Sequence, residues 1–222
     1  QSLGEDAGRI FVAGSLYIDR IVKKMYTDPG IARRKYGLGE AEDFVIVLFH
    51  PDTYETPTKT SLVMAGMLQV ISILPMKAIV VYPCSDPGYR GIIDAILHER
   101  SINRNLIVDT NIDNLDFLGL MASAKAIIGN SSAALVEAPY FKLPALNVGN
   151  RQRGRDHEEN IISVATDMDS IANGLISVLH PERDPGFAEK LSKCGYRLGN
   201  GRASEKVLQV IKSTVFNKDF LR

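Results

Sequence analysis

The sequence predicts an α/β fold: a doubly wound parallel sheet in a single domain over residues 1–222, with the helices of 167–222 packing back on it. Three observations predict it. Short β-rich apolar runs alternate with longer segments of helical period. Phe44 to Phe49 (FVIVLF) is apolar throughout, as a strand buried on both faces of a parallel sheet would be. The polar, glycine-bearing segments suited to a ligand follow directly on such strands, where doubly wound sheets bind their ligands.

Taken in order, Arg9 to Ala13 (RIFVA) reads as a strand closed by Gly14-Ser15. Ser15 is placed to cap a helix over Leu16 to Tyr26, which Asp28-Pro29-Gly30 breaks, and Ile31 to Tyr36 reads as a further short helix. After the Phe44 to Phe49 strand come His50-Pro51 and a helix over Thr60 to Leu74. Ala78 to Tyr82 is the next strand, followed by the loop Pro83 to Gly88 and a helix over Tyr89 to Arg100. Leu106 to Val108 reads as a strand, Asn114 to Ala124 as a helix and Ala126 to Ile128 as a strand. Gly129-Asn130-Ser131-Ser132 turns into a helix over Ser132 to Phe141. Strands at Ala145 to Val148 and Ile161 to Val164 flank a polar loop over Gly149 to Asn160. Helices fill Met168 to Leu179, Gly186 to Gly195 and Ser204 to Phe216.

The 222 residues are 45% hydrophobic and 23% charged, with a formal net charge of zero. That balance fits a globular chain with a sizeable core. It argues against nucleic-acid or membrane-surface binding, both of which need excess positive charge. No apolar stretch reaches the ~20 residues of a membrane span. Two cysteines, Cys84 and Cys194, make no disulfide framework, so a reduced, cytoplasmic setting is expected. The chain opens without methionine on Gln1-Ser2-Leu3-Gly4 and is read as starting within a longer protein.

Candidate chemistry lies at the strand ends. Ser131 and Ser132 start a helix, where free N–H groups and hydroxyls suit either a phosphate or an ordinary N-cap. Glu137 sits among Ala134, Leu135, Val136 and Ala138, where a carboxylate needs a partner; a ribose diol or an arginine would serve. Arg151, Arg153 and Arg155 leave a strand end between glycines, as an anion site or a solvated loop would. His50 ends the Phe44 to Phe49 strand, while Asp86, Gly88 and Arg90 occupy another strand-end loop. His98, His157 and His180 read as surface residues. There is no P-loop, no Gly-x-Gly-x-x-Gly after a strand and no Gly-x-Ser-x-Gly elbow. Neither His-Glu-x-x-His nor Cys-x-x-Cys occurs, so neither metal nor cofactor is expected. No carboxylate pair stands out as general acid and base, and the chain reads as equipped to bind rather than to react.

The segment Ile127 to Arg155, IIGNSSAALVEAPYFKLPALNVGNRQRGR, resembles the signature of the UDP-N-acetylglucosamine 2-epimerase family, most closely its hydrolysing branch. RIFVAGSLYID, FHPDT, YPCSDPG and the closing GNGRASEKVLQVI resemble further family segments, so the likeness runs along nearly the whole chain. The resemblance implies one half of the GT-B architecture: the second of two Rossmann-like domains, the one that holds UDP. It implies that Ser131 and Ser132 hold the diphosphate and Glu137 the ribose hydroxyls, with His50 and Arg151 near the phosphates. Asp86 matches the family's loop, and Arg90 stands where a lysine is common. Cys84 departs from a usual asparagine, which puts a direct ligand contact there in doubt. The acidic catalytic residues belong to the first domain, so no catalytic residue is expected within this chain, with His50 as a candidate contributor. Partners implied are a UDP-sugar and UDP, the first domain and a second copy in a homo-oligomer, within a sialic-acid-type route. Three other readings stand beside it. A GT-B glycosyltransferase would share the turn and the ribose glutamate, but the Arg151-Gln152-Arg153-Gly154-Arg155 loop favours the epimerase. A non-hydrolysing epimerase usually carries a Gly-His-Arg-Arg-type segment where this chain has Phe49-His50-Pro51-Asp52. The third is a non-catalytic nucleotide-sugar binding module.

Overall fold

In a computed structural model, residues 4–214 are described, and they fall into two compact units. One comprises the N-terminal residues up to Met25 and those from Tyr196 onward; the other is Tyr26–Gly195.

The larger unit is the doubly wound sheet. Strands β1 (Phe44–Leu48), β2 (Lys77–Val81), β3 (Leu106–Asp109), β4 (Ile127–Gly129), β5 (Ala145–Val148) and β6 (Ile161–Val164) are all parallel, in the order β3-β2-β1-β4-β5-β6. β1 is central, which explains its unbroken apolar run: Phe44, Val45, Ile46 and Val47 are fully buried. The register sets Ile46 beside Ile127 and Leu48 beside Gly129. Along β1 the side chains alternate between the two faces. Val45, Val47 and Phe49 point toward α3 (Pro57–Ser72), α4 (Tyr89–Ile102) and α7 (Met168–Leu179), packing with Met64, Met67, Ile92, Ile96 and Ile171. Each such side chain contributes roughly 1.5–3 kcal/mol through burial.

Helix boundaries follow local chemistry. Pro57 opens α3 behind Thr56, whose hydroxyl accepts the Lys59 N–H at 3.2 Å. Asp167 caps α7 by accepting from Ser170 N–H at 2.8 Å. On the other face, α2 (Pro29–Lys35) is tied to α5 (Asn114–Met121) through the buried Asp116, which accepts from Thr27, Lys35 and Tyr36. α8 (Pro185–Lys193) starts behind Asp184, whose carboxylate accepts from Gly186 and Phe187 N–H.

In the smaller unit, α1 (Leu16–Val22) and α9 (Ala203–Ser213) are joined by one carboxylate. Asp19 accepts from Ala203 N–H at 2.9 Å, Ser204 N–H at 2.7 Å and the Ser204 hydroxyl at 2.6 Å. Burial opposes its charge, yet these bonds and Lys23 hold its pKa below the ordinary value.

Four sequence expectations are corrected. Arg9 to Ala13 is not a strand: a 3-10 turn covers Ala7–Arg9, Ile10 continues in extended form, and none of the six strands pairs with it. β-propensity without a neighbouring strand makes no ladder. α1 stops at Val22, and the Ser15 side chain makes no capping bond. The helix expected over Ser132 to Phe141 is α6 (Ala133–Val136) and then a 3-10 turn, Ala138–Phe141. Pro139 carries no N–H to continue the α pattern. α9 ends at Ser213; the expected extension to Phe216 passes beyond the described residues.

Candidate functional site

The strand order reverses between β1 and β4, and a doubly wound sheet binds ligands at that point, beyond the strands' C-terminal ends. Here β1 runs into His50 and β4 into Asn130. Gly129 makes the junction sterically feasible. Its φ is 134°, and a Cβ there would lie 2.1 Å from the Leu48 carbonyl oxygen. The close approach lets Asn130, 1% exposed, lock both strand ends. Its Oδ1 accepts the His50 N–H at 2.7 Å, and its Nδ2 donates to the His50 carbonyl at 2.9 Å.

His50 is held on its other side too. Its Nδ1 accepts the Cys84 N–H at 3.0 Å, which leaves the proton on Nε2, the nitrogen free to donate to a ligand. Burial, reinforced by the Arg151 charge and opposed by Asp86, lowers its pKa to about 4, so the ring is neutral near pH 7. Cys84 acts here through its backbone, so the departure from asparagine leaves this contact intact. Its thiol meets Asp86 Oδ2 at 3.1 Å.

Arg151 reaches both sides of the turn. Its Nη2 lies 3.7 Å from Asp86 Oδ2, and its Nη1 donates to the Asn130 carbonyl at 3.4 Å. Gln152 Nε2 donates to that same carbonyl at 2.6 Å. The loop after β5 is thereby pinned to the turn after β4. Arg153 and Arg155 of the same loop stay exposed.

Ser131 is buried and its hydroxyl accepts the Ala133 N–H at 3.3 Å; Ser132 stands at the N-cap of α6 without a side-chain cap bond. With only four residues, α6 has a weaker dipole than the longer helix expected from sequence. Its share of any anion site is therefore local N–H and hydroxyl donors. Glu137 joins α6 to the following 3-10 turn. Its Oε2 is buried without a hydrogen-bond partner, and burial raises its pKa to about 7. Among the described residues no arginine is paired with it.

The structure therefore gathers His50, Asp86, Ser131, Ser132 and Arg151 around Asn130, with Glu137 one short helix away. Arg90 stands apart: it is exposed, and its Nε donates to the Tyr89 hydroxyl at 3.3 Å. Sequence reasoning missed Asn130 as the central clamp and Gln152 as the loop's anchor. The signal for the first was present in the sequence, a Gly-Asn pair directly after a buried strand. Among the described residues no cluster of three metal-ligating side chains occurs, and no helix is long and apolar enough to cross a membrane.

A family model described as UDP-N-acetylglucosamine 2-epimerase matches residues 1–212. The chain belongs to the UDP-N-acetylglucosamine 2-epimerase family. It is 25% identical over 219 residues to a Legionella pneumophila protein named UDP-N,N'-diacetylbacillosamine 2-epimerase (hydrolyzing), covering 99% of this chain and 55% of that one. It is 29% identical over 180 residues to the Campylobacter jejuni GDP/UDP-N,N'-diacetylbacillosamine 2-epimerase (hydrolyzing), covering 79% and 46%. The chain thus spans about half the length of these relatives. In fold it matches the Neisseria meningitidis UDP-GlcNAc 2-epimerase bound to UDP-GlcNAc, with TM-score 0.71, 15% identity, and coverage of 96% of this chain and 58% of that one. The Methanocaldococcus jannaschii UDP-GlcNAc 2-epimerase in complex with UDP-GlcNAc and UDP matches with TM-score 0.69, 16% identity, and coverage of 96% and 57%. The Rossmann-like half of a GT-B fold is the architecture that this epimerase-family chain adopts.

Proposed function

We propose that this chain is the UDP-binding half of a hydrolysing UDP-N-acetylglucosamine 2-epimerase, working in the cytoplasm and feeding a sialic-acid-type route. One observation carries the reading: the switch point brings His50, Ser131, Ser132 and Arg151 around Asn130, next to a Glu137 whose buried oxygen lacks a partner. Donors that match a diphosphate lie beside a carboxylate that matches a ribose diol. The two relatives named as hydrolysing enzymes support that branch over the non-hydrolysing one.

In this reading the diphosphate takes hydrogen bonds from the His50 Nε2–H, from the Ser131 and Ser132 hydroxyls and from the Arg151 guanidinium. Asp86 holds Arg151 in place. The reaction removes the proton at sugar C2 and breaks the bond from C1 to the diphosphate. Water then adds to the resulting glycal, and the products are the free 2-epimeric sugar and UDP. The acid–base groups come from the first domain of the longer enzyme, which works as a homo-oligomer. This half anchors UDP and stabilises the negative charge that gathers on the departing diphosphate.

Calorimetric titration of the chain with UDP, with GDP as control and repeated on Glu137→Ala, tests it. Saturable UDP binding weakened by the substitution is the expected result. No binding of either nucleotide up to millimolar concentration would sink the reading, as would epimerase turnover by this chain alone.

A further inference from the structure

The loop after β5 serves more than the turn after β4. Arg151 and the Gln152 amide reach that turn. The rest of the loop, with Leu135 of α6 and Ile161 of β6, lines a cavity of about 250 Å³. His50, Asp86, Ser131, Ser132, Glu137 and Arg151 take no part in its walls, so it is distinct from the proposed UDP site. It is smaller than the ~300–1,000 Å³ of pockets that take drug-sized ligands, and it has room for one small ring.

Two buried amides say what that ring must carry. Asn147, 6% exposed, and Gln152, 5% exposed, both line the cavity, and the side-chain oxygen of each lacks a hydrogen-bond partner. Turning the amides does not cure this. Asn147 Nδ2 donates to the Gly149 carbonyl at 3.3 Å, and Gln152 Nε2 to the Asn130 carbonyl at 2.6 Å. Either amide reversed would set oxygen against oxygen. Buried polar groups are nearly always paired, so both oxygens call for a donor from outside the chain.

The exposed side of the cavity calls for negative charge. Arg153, Arg155 and His157 stand there. His157 Nδ1 lies 2.8 Å from the Glu158 carbonyl oxygen and so carries the proton, which leaves Nε2 to a ligand. Guanidinium forks match phosphate oxygens. Hydroxyl donors at one end and a phosphate at the other meet both demands. We propose that this cavity binds a monosaccharide phosphate, with ring hydroxyls toward Asn147 and Gln152 and the phosphate on Arg153 and Arg155. Binding here stands apart from the nucleotide reading; its effect on UDP rests on that reading. Gln152 then has its oxygen on the ligand and its nitrogen on the turn proposed to hold the diphosphate, so each ligand alters the affinity of the other by the same factor.

Calorimetric titration of the chain with glucose 6-phosphate and N-acetylglucosamine 6-phosphate tests it, with glucose and inorganic phosphate as separate probes. At least one sugar phosphate should bind roughly tenfold tighter than inorganic phosphate and stay bound in saturating UDP. The double variant Arg153→Gln/Arg155→Gln should weaken it by a similar factor while keeping the wild-type melting curve, since both side chains are exposed. Saturating sugar phosphate should shift UDP affinity by roughly fivefold or more, and the double variant should remove that shift. No binding at millimolar concentration overturns the site. Inorganic phosphate binding as tightly as both sugar phosphates overturns the role of the buried amides. Displacement by UDP places the ligand in the diphosphate site and overturns a second one. UDP affinity that the sugar phosphate leaves unchanged overturns the coupling through Gln152. A chain that binds a sugar phosphate but no UDP supports the cavity and removes the nucleotide reading, so the two fail separately.

Discussion

His50 and Asn130, 80 positions apart in sequence, are bonded to each other twice through one amide side chain. The pair closes the gap between β1 and β4 and fixes the histidine backbone where a ligand would meet its ring. Asn130→Ala strips both bonds and leaves the His50 N–H and C=O without these partners. A buried unsatisfied group costs ~1–3 kcal/mol. Urea unfolding should therefore show a loss in that range, with UDP affinity reduced in parallel. An unchanged midpoint would mean that water replaces the amide at no cost.

Gly129 is a sharper steric test. A side chain there meets the Leu48 carbonyl, and the backbone angle disfavours any L residue. Gly129→Ala should cost a few kcal/mol, at the upper end of single substitutions, by separating β1 from β4. Circular dichroism with urea titration reads this directly. Gly154 has a positive φ but open space around it, and Gly154→Ala should be milder.

How much of this was legible beforehand follows from where each signal resides. β1 was readable because burial on both faces leaves an unbroken apolar run, and Ser131 and Ser132 because they follow a strand. Pro139 stood in the sequence, but whether it bends a helix or ends it depends on the packing of Ala138 and Leu143. RIFVA carried the right residue types for a strand, yet pairing needs a neighbour that local sequence does not provide. Asn130 carried a local signal, a Gly-Asn pair after a buried strand, but its partner His50 lies 80 positions away, and the Gln152 anchor likewise reaches a distant position that no local pattern reveals.

Glu137 and His50 should give opposite pH slopes to stability. Glu137 has a raised folded-state pKa of about 7, so the folded chain holds its proton more tightly than the unfolded chain. Its contribution is therefore lost as pH rises from the ordinary glutamate range through about 7. His50 has a lowered folded-state pKa of about 4, so its contribution is lost as pH falls from 6.5 toward 4. Glu137→Gln should remove the first slope and His50→Gln the second in urea titrations across pH 4 to 8. UDP binding adds a further test. Accepting both ribose hydroxyls needs the carboxylate, so UDP affinity should rise between pH 6 and 8 in wild type and lose this component of its pH dependence in Glu137→Gln.

Arg151 sets the His50 titration after burial does. Burial is the larger cause of the lowered pKa, the Arg151 cation adds to it, and Asp86 works against both. An NMR titration of the His50 ring should therefore place its midpoint near 4 in wild type. Arg151→Gln should move the midpoint up and Asp86→Asn should move it down, with Nδ1 still accepting from Cys84 in both. Saturating UDP should also move it up, because a diphosphate beside Nε2 favours the protonated ring. A midpoint near 6.5 that none of these changes shifts would show that His50 is solvated and uncoupled from the loop after β5. The proposed contact between its Nε2–H and the diphosphate would then lose its basis.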